Sequence, residues 1–317
     1  MENLKVIKGG LLIDGNGTSP IKNGALLISG SRLEWIGPQQ ELRIPEGASP
    51  QIFDYPDGTL LPGLVDAHTH MNFPGDGSLI EDLEAETDEL LLLRSVMNAK
   101  KHLESGVTTA RENGARNKTG LSLKEGIERG FVPGPKLVAC GRPVTIRGGH
   151  CWTMGGEADG IEGMRQAVRK LVKEQVDFIK VMTTGGGTKT SFPFLPAYSV
   201  EELSALVDEA HKFGKLVGAH ATATQGIINA LDADQQMKWD LRFDFLAHQT
   251  GDTQDGDVAF SGRSVHYPSL ALLDDLYSES VSSDGLFTHD VSRFKDALGQ
   301  VETKGDEASL VFLDMIL

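Results

Sequence analysis

The sequence predicts an α/β protein built around a parallel sheet, either doubly wound or closed into a (β/α)8 barrel. From about residue 60 to residue 248, apolar strand-like runs alternate with helix-like stretches, as successive β–α units do. In the first sixty residues, short apolar runs separated by turns rich in Gly, Asn and Asp predict a small antiparallel β unit. No glycine fingerprint of the dinucleotide-binding type follows the first strand, which disfavours the doubly wound alternative and a nucleotide-binding function.

Six strands and three helices can be placed on this pattern. The predicted strands are Leu60–His68, Gly106–Ala110, Lys136–Cys140, Asp177–Met182, Lys215–Ala219 and Asp244–His248. The predicted helices are Ile80–Glu104, Ile161–Glu174 and Ser199–Phe213. The last of these helices begins with a capping box, because Glu202 follows Ser199 by three residues. In a β/α barrel the carboxyl ends of the strands form the active-site face, so residues at those ends are the candidates for chemistry.

The composition excludes several kinds of partner. The chain has 317 residues and a formal charge of −15, with no cluster of Lys or Arg, which argues against nucleic acid and anionic membranes. No stretch reaches the roughly 18 apolar residues of a membrane span, and the N-terminal residues lack the apolar core of a signal peptide. The two cysteines cannot build a disulfide framework. We therefore expect a soluble, cytoplasmic, globular protein.

The strongest local signal lies in the segment Leu61–His70. Side chains alternate along a strand, so Asp66, His68 and His70 share one face. Two imidazoles placed two residues apart at the carboxyl end of a strand can bind one cation from the same side. By itself the pair is equally consistent with polar residues at a strand edge.

Lys180 and two further histidines extend the pattern. Lys180 lies in an apolar strand, on the same face as Phe178 and Met182. A buried ammonium group costs several kcal/mol unless it is paired or neutralised. It therefore either pairs with a carboxylate or captures CO2 as a carbamate, an oxygen ligand that can bridge two metal ions. His220 and His248 each end another predicted strand, so four histidines and one lysine together indicate a metal site.

These motifs resemble the metal-dependent amidohydrolase superfamily, and within it the imidazolonepropionase-like branch that contains Xaa-Pro and Xaa-Arg dipeptidases. The resemblance is close from about residue 4 to residue 233. Its carriers are Leu61–His70, Gly106–Arg111, Gly134–Lys136, Gly148–His150, Phe178–Met182 with the glycines Gly185–Gly187, and Gly218–Ala221. The resemblance implies a (β/α)8 TIM-type barrel over residues 60–298, irregular after residue 233. It also implies a small β-sandwich domain formed by the two chain termini, residues 1–59 plus 299–317.

The resemblance implies functional residues as well. It implies that His68 and His70 bind one metal ion and that carboxylated Lys180 is a bridging ligand. It also implies that His220 and His248 bind a second ion, and Zn2+ is the expected metal. His150 and Tyr198 match positions that lie near the substrate in relatives. The implied reaction is hydrolysis of a C–N bond in a dipeptide or small cyclic amide through a metal-activated water.

The agreement weakens after Ala233. The stretch from residue 234 to residue 240 has the character of an insertion or of an altered reading frame. Only residues 249–298 remain for the last strands and helices. One βαβ unit takes roughly 30 residues, so we expect a barrel that is incomplete at its C-terminal end. The open strand edges of such a barrel favour self-association into a homo-oligomer.

The catalytic aspartate of the family is the second point of departure. No family motif for it occurs in this region, and the candidates are Asp284, in Ser283-Asp284-Gly285, and then Asp290. Two function classes therefore stay open. One is an active amidohydrolase, and the other is a catalytically impaired or non-catalytic relative that keeps a partial metal site.

Overall fold

The computed structural model of the protein describes residues 4–16, 19–76, 80–235, 245–250 and 310–316. The chain divides into two compact units, Met1–Leu64 and Val65–Leu317. The first unit is made of strands, and the second alternates strands with helices. No helix in the described ranges is both long and apolar enough to cross a membrane.

The first unit is a four-stranded sheet in the order β3-β2-β1-β4. Its strands are β1 (Leu4–Leu12), β2 (Ile21–Ser29), β3 (Arg32–Pro38) and β4 (Gln51–Leu60). The pairs β1–β2 and β2–β3 are antiparallel, as predicted, but β1 and β4 are parallel. The sheet is therefore mixed, because the connection after β3 carries the chain back across the sheet before β4 begins.

The second unit contains the predicted alternation of strands and helices. Its strands are β5 (Leu64–Thr69), β6 (Val107–Glu112), β7 (Lys136–Ala139), β8 (Ile179–Met182), β9 (Val217–Ala221), β10 (Phe245–Thr250) and β11 (Leu310–Ile316). Its helices are α1 (Asp88–Glu104), α2 (Thr119–Glu128), α3 (Gly160–Lys173), α4 (Val200–Lys212) and α5 (Thr224–Gln235). The capping box at Ser199 is confirmed, since Ser199 Oγ accepts the N–H of Glu202 and the Glu202 carboxylate accepts the N–H of Ser199.

One predicted helix is divided in the structure. The stretch Ile80–Glu104 forms a 3-10 helix, Ile80–Ala85, followed by α1. The division falls at Thr87, whose side chain accepts the N–H of Leu90 and so caps a new helix start. An apolar periodicity that runs across such a cap does not reveal the break.

The strands of the second unit form two sheets, in the orders β5-β6-β7 and β10-β11-β9-β8. The pairs β6–β7 and β8–β9 are parallel. Val144, just after β7, forms a parallel bridge with Val181 of β8: its N–H donates to the Lys180 carbonyl at 2.7 Å. This parallel β–α arrangement is consistent with the TIM-barrel class, whereas closure into a barrel stays a prediction.

The last described strand, β11, pairs antiparallel with β9 and β10, with Asp314 opposite His220. A shared domain of residues 1–59 and 299–317 stays a prediction. An apolar strand gains hydrogen bonds at any unpaired sheet edge, and the edge of β9 offers such a position. Residues 234–244 and 251–309 contain the proposed insertion, Asp284 and Asp290, and almost all of them lie outside the described residues. The domain boundaries as a whole stay a prediction.

The core beside β8 and β9 is made by α3, α4 and α5. It buries apolar side chains from all five elements: Val168, Leu171, Ile179, Leu206, Val217, Ala219 and Ile227. Ion pairs join α3 to α4, because Arg165 contacts Asp208 at 2.7 Å and Arg169 contacts Glu209 at 2.6 Å. This layer holds β8, and with it Lys180, in a fixed position.

Candidate metal centre

His68 and His70 meet at the carboxyl end of β5. Their Nε2 atoms lie 3.1 Å apart, and their ring planes are inclined by 60°. Two nitrogen ligands that share a zinc ion at about 2.0–2.1 Å each lie roughly 3 Å apart, so the spacing of this pair fits a single cation. The structure thus brings together the two residues that the sequence proposed as ligands of one ion.

A backbone carbonyl sets the tautomer of His70. Its Nδ1 lies 2.9 Å from the Gly114 carbonyl oxygen, which can only accept, so Nδ1 carries the proton and Nε2 keeps its lone pair. Gly114 has a φ of +146°, a conformation that side-chain-bearing residues rarely adopt. If both rings are neutral, the 3.1 Å contact is either a hydrogen bond donated by His68 Nε2 or the spacing of two nitrogens that share a cation, because two lone pairs at that distance repel. Metal-binding histidines typically donate their other ring N–H to a backbone carbonyl in this way.

Lys180 is buried in the middle of β8, with 1% of its surface exposed. Its backbone lies opposite Gly218 in β9, and its carbonyl accepts the N–H of Val144. All four residues of β8 are buried, so the strand is covered on both faces. The predicted burial of this lysine is confirmed, and the choice between an ion pair and a carbamate stays open.

His220 and His150 form a second pair of rings. The ring centroids lie 4.5 Å apart. His220 Nε2 lies 3.3 Å from the Gly185 carbonyl oxygen, and His150 Nδ1 lies 2.9 Å from Thr188 Oγ1. The glycine loop after β8 therefore contacts both histidines, and a Cβ atom on Gly186 would lie 2.6 Å from the His150 ring.

The remaining predicted site residues are placed differently. The Tyr198 hydroxyl donates to the Ala158 carbonyl at 2.8 Å and is buried, which raises its pKa; its predicted contact with substrate stays a prediction. The backbone of His248 lies in β10, opposite Phe312 of β11. Asp284 lies outside the described residues. In the part of the chain that the structure describes, His, Cys, Asp and Glu side chains form no group of three or more able to hold a metal ion.

Glu112, at the carboxyl end of β6, is a residue that the sequence analysis missed. It is fully buried, and its Oε1 accepts the N–H of Met71, the residue after His70, at 3.4 Å. Burial raises the pKa of its carboxyl to about 8, while hydrogen bonds from the N–H groups of Met71 and Gly114 oppose that rise. Its carboxyl thus binds the backbone on both sides of the His70 ring. It accepts from Met71, the next residue, and from Gly114, whose carbonyl contacts His70 Nδ1. Its position at a strand end, one residue beyond the motif Gly106–Arg111, is a signal that could have identified it.

The raised pKa of Glu112 predicts a pH dependence of stability. Folded metal-free protein keeps this proton between about pH 4.5 and about pH 8, whereas the unfolded chain releases it. The free energy of unfolding should therefore fall by roughly 1.4 kcal/mol per pH unit across this window on account of Glu112. Glu112→Gln keeps the shape of the neutral acid, so this contribution should vanish in the variant. Urea unfolding of both proteins at about pH 5 and about pH 8 measures the difference, and an identical fall in both would contradict a neutral buried carboxyl.

With this geometry in place, comparison with known proteins identifies the class. A match to the amidohydrolase family spans residues 59–245, more than half of the chain, so the protein belongs to that family. The matched range contains β5 to β9 and the two ring pairs, His68–His70 and His150–His220. The resemblance inferred from the sequence motifs is thereby confirmed.

Individual relatives share between a quarter and a third of their residues with this chain. Ochratoxinase of Aspergillus niger is 28% identical over 260 residues, covering 72% of this chain and 52% of that protein. Imidazolonepropionase of Yersinia pseudotuberculosis is 32% identical over 113 residues, covering 28% of this chain and 27% of that protein. A prolidase solved in complex with N-methylphosphonate-L-proline is 26% identical, with a TM-score of 0.64 over 73% of this chain and 59% of that one. The chain thus spans about half the length of the ochratoxinase that it matches.

Proposed function

We propose that the protein is a metal-dependent hydrolase that cleaves the C–N bond of an amide or cyclic amide in a small substrate such as a dipeptide. The observation that carries the proposal is the convergence of His68 Nε2 and His70 Nε2 to 3.1 Å at the carboxyl end of β5. That end of the strand is where enzymes of the TIM-barrel class hold their active sites. Membership of the amidohydrolase family supports the same reaction class.

Five residues of the chain would hold the metal ions. His68 and His70 would hold a first cation through Nε2, with the Gly114 carbonyl keeping His70 in the required tautomer. Lys180, as its carbamate, would bridge to a second cation held by His220 and His248. When bound, such ions lower the pKa of a water molecule towards about 7 and polarise a carbonyl group.

Two further residues have proposed roles in this reaction. Asp284 is the proposed proton acceptor, because a carboxylate can hydrogen-bond both to the attacking water and to the departing amine. The ring of His150 lies against that of His220 and would orient the substrate carbonyl beside the cations. Small-molecule or dipeptide substrates suit such a site, and Zn2+ suits its histidine ligands.

A second candidate function is a relative that keeps a partial metal site without turnover. It is favoured by the sequence, because residues 249–298 contain no family motif for the catalytic aspartate. Such a protein would bind a cation weakly through the His68–His70 pair and would lack the remaining ligands.

The two candidates are separated by metal analysis followed by a substrate screen. We expect purified protein to carry at least one zinc ion per chain and to hydrolyse members of a panel of Xaa-Pro dipeptides, Xaa-Arg dipeptides and N-acyl amino acids. Chelation should abolish turnover, and added zinc should restore it. Zinc binding with no turnover on any class would select the second candidate, and failure to bind zinc would refute both.

A further inference from the structure

The loop that follows Gly185–Gly187, the glycines after β8, carries an exposed apolar surface. Phe192, Phe194 and Leu195 are 59%, 54% and 58% exposed, and the two phenylalanine rings pack edge to face at 5.5 Å. Single exposed apolar residues are normal on any protein, but three within four residues make a contiguous patch, and such patches mark binding surfaces. We refer to residues 191–195 as the aromatic loop.

The aromatic loop is held in one conformation by the ends of β8 and β9. The N–H of Gly185 donates to the Leu195 carbonyl at 3.2 Å, and Thr222 Oγ1 donates to the Pro193 carbonyl at 2.5 Å. A Cβ atom on Gly185 would lie 2.1 Å from the Phe192 carbonyl oxygen, so the two backbone segments are in direct contact. The exposed side chains therefore stand on a fixed backbone.

The same glycine segment contacts both histidines of the second ring pair. The Gly185 carbonyl lies 3.3 Å from His220 Nε2, and Gly186 lies directly against the His150 ring. Only one layer of backbone therefore separates the aromatic loop from His220. An apolar surface in this place borders the position where the proposed reaction occurs.

We propose that the aromatic loop forms an apolar wall of the substrate site, and that the substrate carries a large apolar or aromatic group beside the scissile amide. This inference rests on the proposed function for the location of the site. Rigid aromatic side chains offer a large contact area at a small cost in conformational entropy. Apolar surface that faces water in the empty protein is covered when an apolar group binds, which favours such substrates over polar ones.

The test compares two probes and two variants of the full-length protein. The probes are N-acetyl-L-phenylalanine amide and N-acetylglycine amide, and binding is measured by NMR titration. We expect the parent to prefer the phenylalanine probe by at least about tenfold, and Phe192→Ala/Phe194→Ala to lose at least about tenfold for that probe alone. The control is Phe131→Ala, which removes a phenylalanine that is 73% exposed near the end of α2 and should bind both probes as the parent does.

The outcomes separate this inference from the proposed function. If the probe preference is lost in the double variant while no C–N substrate is turned over by the parent, the aromatic wall stands and the hydrolase proposal fails. Equal binding of the two probes by the parent, or unchanged binding by the double variant, would overturn the wall. The wall would also be overturned if the parent sediments as a dimer and the double variant as a monomer with unchanged probe binding. The patch would then be a surface for self-association.

Discussion

Lys180→Ala is expected to lose most of its bound metal and at least about 100-fold of any hydrolytic activity. Loss of groups that merely support a ligand costs about 10–100-fold in metal affinity or activity, so loss of a bridging ligand should cost no less. Lys180 is 1% exposed, and truncation to alanine leaves a space beside the proposed metal ions. Acetate or propionate should enter that space, supply the missing carboxylate and restore part of both metal content and turnover.

Lys180→Met is the matched variant for this experiment. Methionine fills the same volume without an amine, so it should lose metal as alanine does but should not respond to added carboxylic acids. Lys124→Ala serves as a control, because Lys124 is ion-paired with Asp177 at 2.6 Å and has no proposed role in the site. Its metal content and turnover should match those of the parent.

The same variants decide between the two interpretations of Lys180. If the lysine only pairs with a buried carboxylate, Lys180→Met should leave that charge unpaired and lower the free energy of unfolding by about 3–5 kcal/mol without changing the metal content. If the lysine carries a carbamate, metal content falls. Full metal content and activity in Lys180→Ala would refute the carbamate.

Replacing His68 and His70 together by asparagine is expected to remove at least one zinc equivalent per chain. The two Nε2 atoms converge to 3.1 Å, so both ligands of one ion are lost at once. Only neutral imidazole binds the ion, and the affinity of the parent for zinc should therefore fall as the pH drops through about 6.5. Competition with a chromogenic chelator at about pH 5.5 and about pH 7.5 measures this change.

The control for this variant is His211→Asn in α4. His211 is half-buried, and burial lowers the pKa of its ring, but it has no place among the proposed ligands. Its zinc content should equal that of the parent at both pH values. A double variant at positions 68 and 70 that binds zinc as the parent does would show that the metal site lies elsewhere.

Local signals in the sequence were sufficient to predict strands β5 to β9 and the helices α1, α3 and α4, but they did not reveal α2 or α5. The capping box of Ser199 and Glu202 lies within four residues, and its prediction holds in the structure. The pairing of His68 with His70 follows from alternation along a single strand, and the rings do meet. The sequence likewise placed Lys180 in a strand that proves to be fully buried. Each of these features depends on neighbours within a few residues, which periodicity and capping describe.

Tertiary structure alone decided the surroundings of those residues. Glu112 supports the segment after His70 from a different strand, 41 positions along the chain. His150 lies against His220 because two loops and a strand end meet, and no local pattern encodes that approach. The antiparallel pairing of β11 with β9 was also decided there. Such contacts depend on the register and packing of distant segments, and hydrophobic periodicity carries information about the face of an element but not about the element that it meets.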